Sequence, residues 1–213
     1  MAWPELARHD GAEQPQRLIL LAHGAGAGMD HPFMAAMASA LADDQTQVVR
    51  FEFDYMVQAR ALDKRRPPDR LPKLVECFQR WAEAAKIAHP QAQLVLAGKS
   101  MGSRAAALVA QQVDAQAVLA FGYPFHPVGK TEPERWRWQP LQQCPVPLLI
   151  CQGSRDNFGS QAELAAHTLP ETVGLHWLDS GDHSLVPTKR SGFTQQQLIE
   201  QAAGACQTFL NRE

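Results

Sequence analysis

Leu94–Gln112 reads LVLAGKSMGSRAAALVAQQ, and this stretch decides the fold class. Leu94–Ala97 is a short, wholly apolar run of the kind that fills a strand covered on both faces. Gly98–Gly102 is a G-x-S-x-G pentapeptide, and Met101–Gln112 is Ala-rich with helical spacing. A strand, a glycine-flanked turn and a helix in that order expose Ser100 at a helix N-terminus, where the helix dipole favours developing negative charge. The glycines permit the sharp turn and a close approach of the helix to the sheet. By itself the pentapeptide occurs by chance; in this context it points to an activated serine. Two nucleotide-binding readings fail on absent glycines. A phosphate loop needs glycine where Gln93 stands, and a dinucleotide fingerprint beginning at Gly24 or Gly26 needs it at Met29 or His31.

The same alternation runs outward in both directions. Arg17–Ala22, Gln47–Phe53, Ala117–Phe121, Pro147–Cys151 and Val173–Leu178 read as further strands. Pro32–Ala42, Leu71–Ala88, Ser160–Thr168 and Thr194–Leu210 read as helices. Alternating β and α elements predict an α/β fold: a doubly wound, mostly parallel sheet flanked by helices, with sites at the carboxyl ends of its strands. Asp63–Arg70 and Tyr123–Pro140 are proline-bearing and break the pattern as loops. No linker or repeat divides the chain, so residues 1–213 are expected to form one domain.

Composition narrows the function classes. Of 213 residues, 45% are hydrophobic and 20% charged, which excludes wholesale disorder. Twenty Lys and Arg against 22 Asp and Glu leave a net charge of −2 and no polybasic field for nucleic acid. Cys77, Cys144, Cys151 and Cys206 show neither C-x-x-C spacing nor metal-ligand neighbours, so reduced thiols are expected and no metal or cofactor is implied. The opening MAWPELARHDG lacks the basic and apolar regions of a secretory leader, and no apolar run approaches bilayer length. A soluble cytoplasmic protein is expected, a monomer or homodimer whose partner is a small-molecule substrate, with no role at membranes.

A serine hydroxyl needs a base, and the base needs an orienting acid. Beyond the strand Pro147–Cys151, QGSRD ends in Asp156; beyond Val173–Leu178, DSGDH ends in His183. His167 is placed in a helix and His176 inside a strand, which leaves His183 to reach Ser100. Asp179 and Asp182 are rival acids, with Asp182 better suited to capping its own loop. A metal cluster of His176, Asp179, Asp182 and His183 is disfavoured, because strand alternation does not converge those side chains. For an oxyanion, the backbone N–H of Met101 and of Ala25, in the loop His23–Gly28, are the expected donors. His23 itself reads as a packing histidine beneath that loop.

Together these residues resemble the α/β-hydrolase superfamily from about Leu18 to the C-terminus. HGAGAGMDHPFM, FEFDYM, RRPP, AGKSMGSR, FGYPFHPVGK and QGSRDNFG are similar to a narrower, lidless, dienelactone-hydrolase-like group that includes testis-expressed protein thirty and the third subunit of the NSL complex. Ser103 departs from that group's usual glycine and Asp54 from its frequent proline. The resemblance implies a minimal hydrolase fold without a large cap domain and a Ser100–Asp156–His183 triad.

Further residues carry two readings. Lys99 is either an ion-pair brace for the elbow or a cation that favours an anionic substrate. Lys64, Arg65 and Arg66 are either a solvated loop or a binding site for a carboxylate or phosphate. Tyr123, Phe125 and His126 are expected to line the pocket rim, Arg104 to make a structural bridge, and Trp136 and Trp138 to pack on the protein's own surface. The reading that follows is a serine hydrolase of small soluble esters or thioesters working through an acyl-enzyme. The rival is a silent hydrolase-fold interaction module. Its hallmark, loss of a triad member or of Gly24 and Gly26, is absent.

Overall fold

The central strands are apolar on both faces because each face is roofed by helices. In β2 (Arg17–Ala22), Leu18, Leu20 and Ala22 pack into one cluster, and Ile19 and Leu21 into the other. The same alternation holds for β4 (Gln93–Lys99), β5 (Ala117–Phe121) and β6 (Leu148–Gly153), where neighbouring residues fall into opposite clusters. A computed structural model of the chain describes residues 3–211; the two residues at each end, which the leader and one-domain expectations also cover, lie outside it.

β1 (Arg8–Gly11), β3 (Thr46–Phe51) and β7 (Val173–Leu178) complete a seven-stranded sheet in the order β1-β3-β2-β4-β5-β6-β7. All neighbours are parallel except β1, which runs antiparallel to β3. On one face lie α3 (Leu71–Ala88), α4 (Met101–Val109) and the short α5 (Gln139–Gln143). On the other, α1 (Pro32–Leu41) packs against α7 (Gln195–Leu210). α3 presents Leu74, Phe78, Trp81 and Ala85 to the sheet, and the Trp81 ring stacks on Phe51 at 5.0 Å. Ala88, the last residue of α3, is exposed.

Four local expectations differ from the structure. β1 was not expected: RHDG is an edge strand with alternate residues in solvent, so it carries no apolar run. The strand β3 stops at Phe51, and a further helix, α2 (Asp54–Leu62), occupies a stretch whose single buried residue is Tyr55. It ends at Asp63 in the left-handed region (φ +47°), before the Lys64–Arg70 loop. The helix expected over Ser160–Thr168 is reduced to α6 (Gln161–Leu164), opened by a Ser160–Glu163 capping box. His167 consequently lies beyond that helix, not in it. Met101–Gln112 likewise shortens to α4. The Tyr123–Pro140 segment is irregular as expected, apart from a single 3-10 turn at Pro133–Arg135 and the start of α5.

Candidate active site

β4 ends in the glycine-flanked turn, and the backbone at Ser100 pays for the sharpness of that turn with φ +52° and ψ −114°, a conformation rare for a residue with a Cβ. The glycines on either side have no room for a side chain. A Cβ on Gly98 would collide with the backbone of Gly102, and one on Gly102 would meet the His23 carbonyl at 2.7 Å. The Ser100 amide donates to the Phe121 carbonyl at 2.9 Å, and the Ser103 hydroxyl donates to the Ser100 carbonyl at 2.6 Å. Ser103, which departs from the lidless group's glycine, thus ties the first turn of α4 to the elbow.

The loops after β6 and β7 bring two more residues to Ser100. His183 Nε2 lies 2.9 Å from Ser100 Oγ, and His183 Nδ1 lies 2.8 Å from Asp156 Oδ2. An ionised carboxylate only accepts, so Nδ1 carries the proton and Nε2 is free to accept from the serine hydroxyl. Asp156 is fully buried and held from three directions. Its Oδ1 accepts the Phe158 amide at 2.8 Å, and its Oδ2 accepts from Gln152 Nε2 at 2.9 Å as well as from the imidazole. Gln152 is the buried residue that sequence reasoning missed here; it also reaches the Tyr123 and Gly159 carbonyls, so it locks the β6 loop. The rival acids do other work: Asp182 Oδ1 accepts the Ser184 and Val186 amides of its own loop, and Asp179 is exposed. Among the described residues, no group of three or more His, Cys, Asp and Glu is placed to hold a metal.

The loop after β2 closes the site from the other side. His23 donates from Nδ1 to the Gly24 carbonyl at 2.7 Å and accepts the Phe53 amide on Nε2 at 3.1 Å. Burial pushes its pKa down, so it is a neutral packing group. The Tyr55 hydroxyl lies 3.3 and 3.2 Å from the Gly24 and Ala25 carbonyls. Among the described residues the Ala25 and Met101 amides have no hydrogen-bond partner.

Ser100, His183 and this loop border a cavity of about 420 Å³ whose apolar wall is Phe33 and Met34 of α1 and Phe158. Phe158 also packs on the His183 ring, with centroids 4.3 Å apart. These wall residues were not singled out from the sequence; the one available signal was that Phe158 follows Asp156 by two positions. Lys99 is on the wall too, but as no ion-pair brace. Its ammonium donates to the His183 carbonyl at 2.7 Å and stands 5.6 Å from the Phe33 ring centroid. Burial pushes it down to about 8, against the opposing pull of Asp156 and Asp182.

Several expected wall residues lie elsewhere. Tyr123, Phe125 and His126 are fully buried and do not line the cavity. Past Gly122 (φ +61°) the chain passes to the α3/α4 side of the sheet, where Tyr123 and Phe125 join the core and the Tyr123 hydroxyl donates to the Arg137 carbonyl at 2.7 Å. The cavity faces the α1/α7 side. Arg65 and Arg66 line an adjoining cleft of about 650 Å³, together with Lys64, Arg60, Asp30 and Glu52, which meets the cavity at Ala25–Ala27 and His31. Within it Arg60 pairs with Glu52 and Asp30. Arg104 makes no bridge among the described residues, and its Nε is buried without a partner. Trp136 and Trp138 stack on each other at 4.9 Å over Phe125, so they pack on the protein's own surface.

Residues 15–211 match the family model described as an alpha/beta hydrolase domain. Solved structures share the fold across nearly the whole chain. A serine hydrolase without a lid from Xanthomonas campestris is 18% identical, with a TM-score of 0.70 covering 97% of this chain and 90% of that one. Est1E from Butyrivibrio proteoclasticus is 15% identical, with a TM-score of 0.69 and coverages of 96% and 93%. Dienelactone hydrolase from Anabaena variabilis is 16% identical, with a TM-score of 0.66 and coverages of 95% and 92%.

Proposed function

The chain belongs to the alpha/beta hydrolase domain family, and from that premise we propose that it is a serine hydrolase that cleaves short carboxylic esters or thioesters through an acyl-enzyme. The observation that carries this reading is the unbroken relay from Asp156 through His183 to Ser100, at 2.8 and 2.9 Å, on a serine held at φ +52°. His183 Nε2 takes the hydroxyl proton as Ser100 Oγ attacks the substrate carbonyl. Asp156 stabilises the imidazolium, and His183 then returns the proton to the leaving oxygen or sulfur. Water, deprotonated by the same nitrogen, releases the acid. The partnerless Met101 and Ala25 amides are the donors for the tetrahedral oxyanion. A cavity of about 420 Å³ with Phe33, Met34 and Phe158 on its wall supports a short acyl group. We also place the chain with the lidless group of testis-expressed protein thirty, on the local strings it shares with them. Its four buried free cysteines support a reducing, cytoplasmic setting.

The test is a fluorophosphonate, which phosphonylates an activated serine. Intact mass and peptide mapping should find one adduct on Ser100 in the wild type and none in Ser100→Ala. An unlabelled wild type, or equal labelling of Ser100→Ala, defeats the mechanism.

A further inference from the structure

Lys99 lines the cavity and takes no part in the relay. It is 8% exposed, on the cavity wall, next in the chain to Ser100. Among the described residues no carboxylate stands within ion-pair distance of it. Its one hydrogen bond goes to a carbonyl, that of His183. An ammonium has three N–H donors, so two are left without a protein acceptor. Burying a cation is costly unless an anion meets it, and a brace to a carbonyl needs only a neutral donor. The surroundings do not meet it with an anion: Asp156 and Asp182 attract it only from beyond ion-pair distance, Phe33 offers a ring face, and His31, also on the wall, accepts the Phe33 amide on Nδ1 as it caps α1. The ammonium is tied to the same residue whose Nε2 touches Ser100, so an anion that satisfied it would sit within a few bonds of the attacked carbonyl.

We propose that Lys99 receives a carboxylate of the substrate, and that the preferred substrates are short esters or thioesters bearing that carboxylate a few atoms from the scissile carbonyl. This rests on the serine-hydrolase reading and adds the substrate class to it. The bound carboxylate takes the ammonium's free donors in charge-assisted hydrogen bonds, which a neutral group of the same shape cannot do. No covalent step is added; the ion pair positions the ester over Ser100 Oγ.

The experiment compares charged esters with neutral isosteres by following acid release in a pH-stat at pH 7. Monoethyl succinate is set against ethyl 4-methylpentanoate, which places the carboxylate on the acyl side. Acetoxyacetate is set against isobutyl acetate, which places it on the leaving-group side. In the wild type at least one charged ester should exceed its isostere in kcat/KM by roughly ten- to a hundredfold, the range of a charge-assisted hydrogen bond. Lys99→Met should erase that ratio, the charged ester falling further than its neutral isostere. If that variant folds poorly, Lys99→Gln, which keeps a neutral donor for the His183 carbonyl, makes the same comparison. Neutral isosteres cleaved as well as both charged esters overturn the proposal, as does labelled Ser100 with neither charged ester cleaved. An equal fall for charged and neutral esters in Lys99→Met makes the residue a brace alone and also overturns it. If Ser100 takes no fluorophosphonate, the hydrolase reading itself has failed and this inference goes with it.

Discussion

Replacing Lys99 with methionine removes the charge and keeps an unbranched apolar stem, so it isolates what the buried ammonium costs the fold. Lys99 is lowered from 10.5 to about 8, with burial as the main cause and the attraction of Asp156 and Asp182 already contained in that value. That lowering is worth about 3 kcal/mol, by which the charged residue destabilises the folded protein at neutral pH. The sign follows from proton counting. Below pH 8 both folded and unfolded chains hold the proton, and the cost is constant. Between about pH 8 and 10.5 the unfolded chain holds a proton that the folded one has released, so stability rises with pH through that window. From pH 7 to pH 10 the wild type should therefore gain roughly 2–3 kcal/mol relative to Lys99→Met. For a chain of this size that is about 5–10 °C in Tm, at 2–4 °C per kcal/mol. Paired urea titrations of the two proteins at pH 7, 8, 9 and 10 measure it, and the difference between them cancels the tyrosines and cysteines that titrate in both. A stability difference that does not change with pH would show that Lys99 carries no buried charge, and the reasoning from its burial would be wrong.

Asp156→Asn keeps the Oδ1 contact with the Phe158 amide but sets an NH2 against Gln152 Nε2, so it should cost roughly 1–3 kcal/mol of stability while lowering kcat on a cleaved ester by about 10⁴-fold, because an amide does not hold His183 in the accepting tautomer; urea midpoints and steady-state kinetics check both halves. The glycines around the site separate by space: Gly98→Ala, which collides with the Gly102 backbone, should destabilise by about 3 kcal/mol or more, whereas Gly26→Ala, with nothing within 4 Å of its added Cβ, should stay within about 0.5 kcal/mol, both read from urea midpoints.

What was legible in the chain is what each segment settles locally. β2, β4, β5 and β6 were found close to their bounds because strands buried on both faces are apolar through their middles, and α3 was found residue for residue because its buried stripe recurs at helical spacing behind a proline start. β1 and α2 were invisible for the converse reason. An edge strand of charged residues and a helix burying only Tyr55 draw their stability from neighbours, and neighbours leave no local period. Ser100, Asp156 and His183 were legible because each closes a strand, and parallel strands of one sheet deliver their ends to one edge.

The cavity wall was not legible, and its failure has one geometric cause. A strand end says that a residue is near the edge; it does not say on which side of the sheet the chain then turns. Tyr123 follows the end of β5 and Phe158 the end of β6, yet one is core on the α3/α4 side and the other is cavity wall. The choice is made at Gly122, whose φ of +61° sends the chain under the sheet, and glycine is required there on two counts: the angle itself, and a Cβ that would lie 2.9 Å from the His183 carbonyl. That same carbonyl is the acceptor of the Lys99 ammonium. The turn that removes Tyr123 from the cavity thus leaves space for the His183 loop to close over Lys99, so the identity of the wall and the burial of its one ammonium are set by a single backbone turn. A residue larger than glycine at position 122 would push on the His183 loop before it disturbed the core.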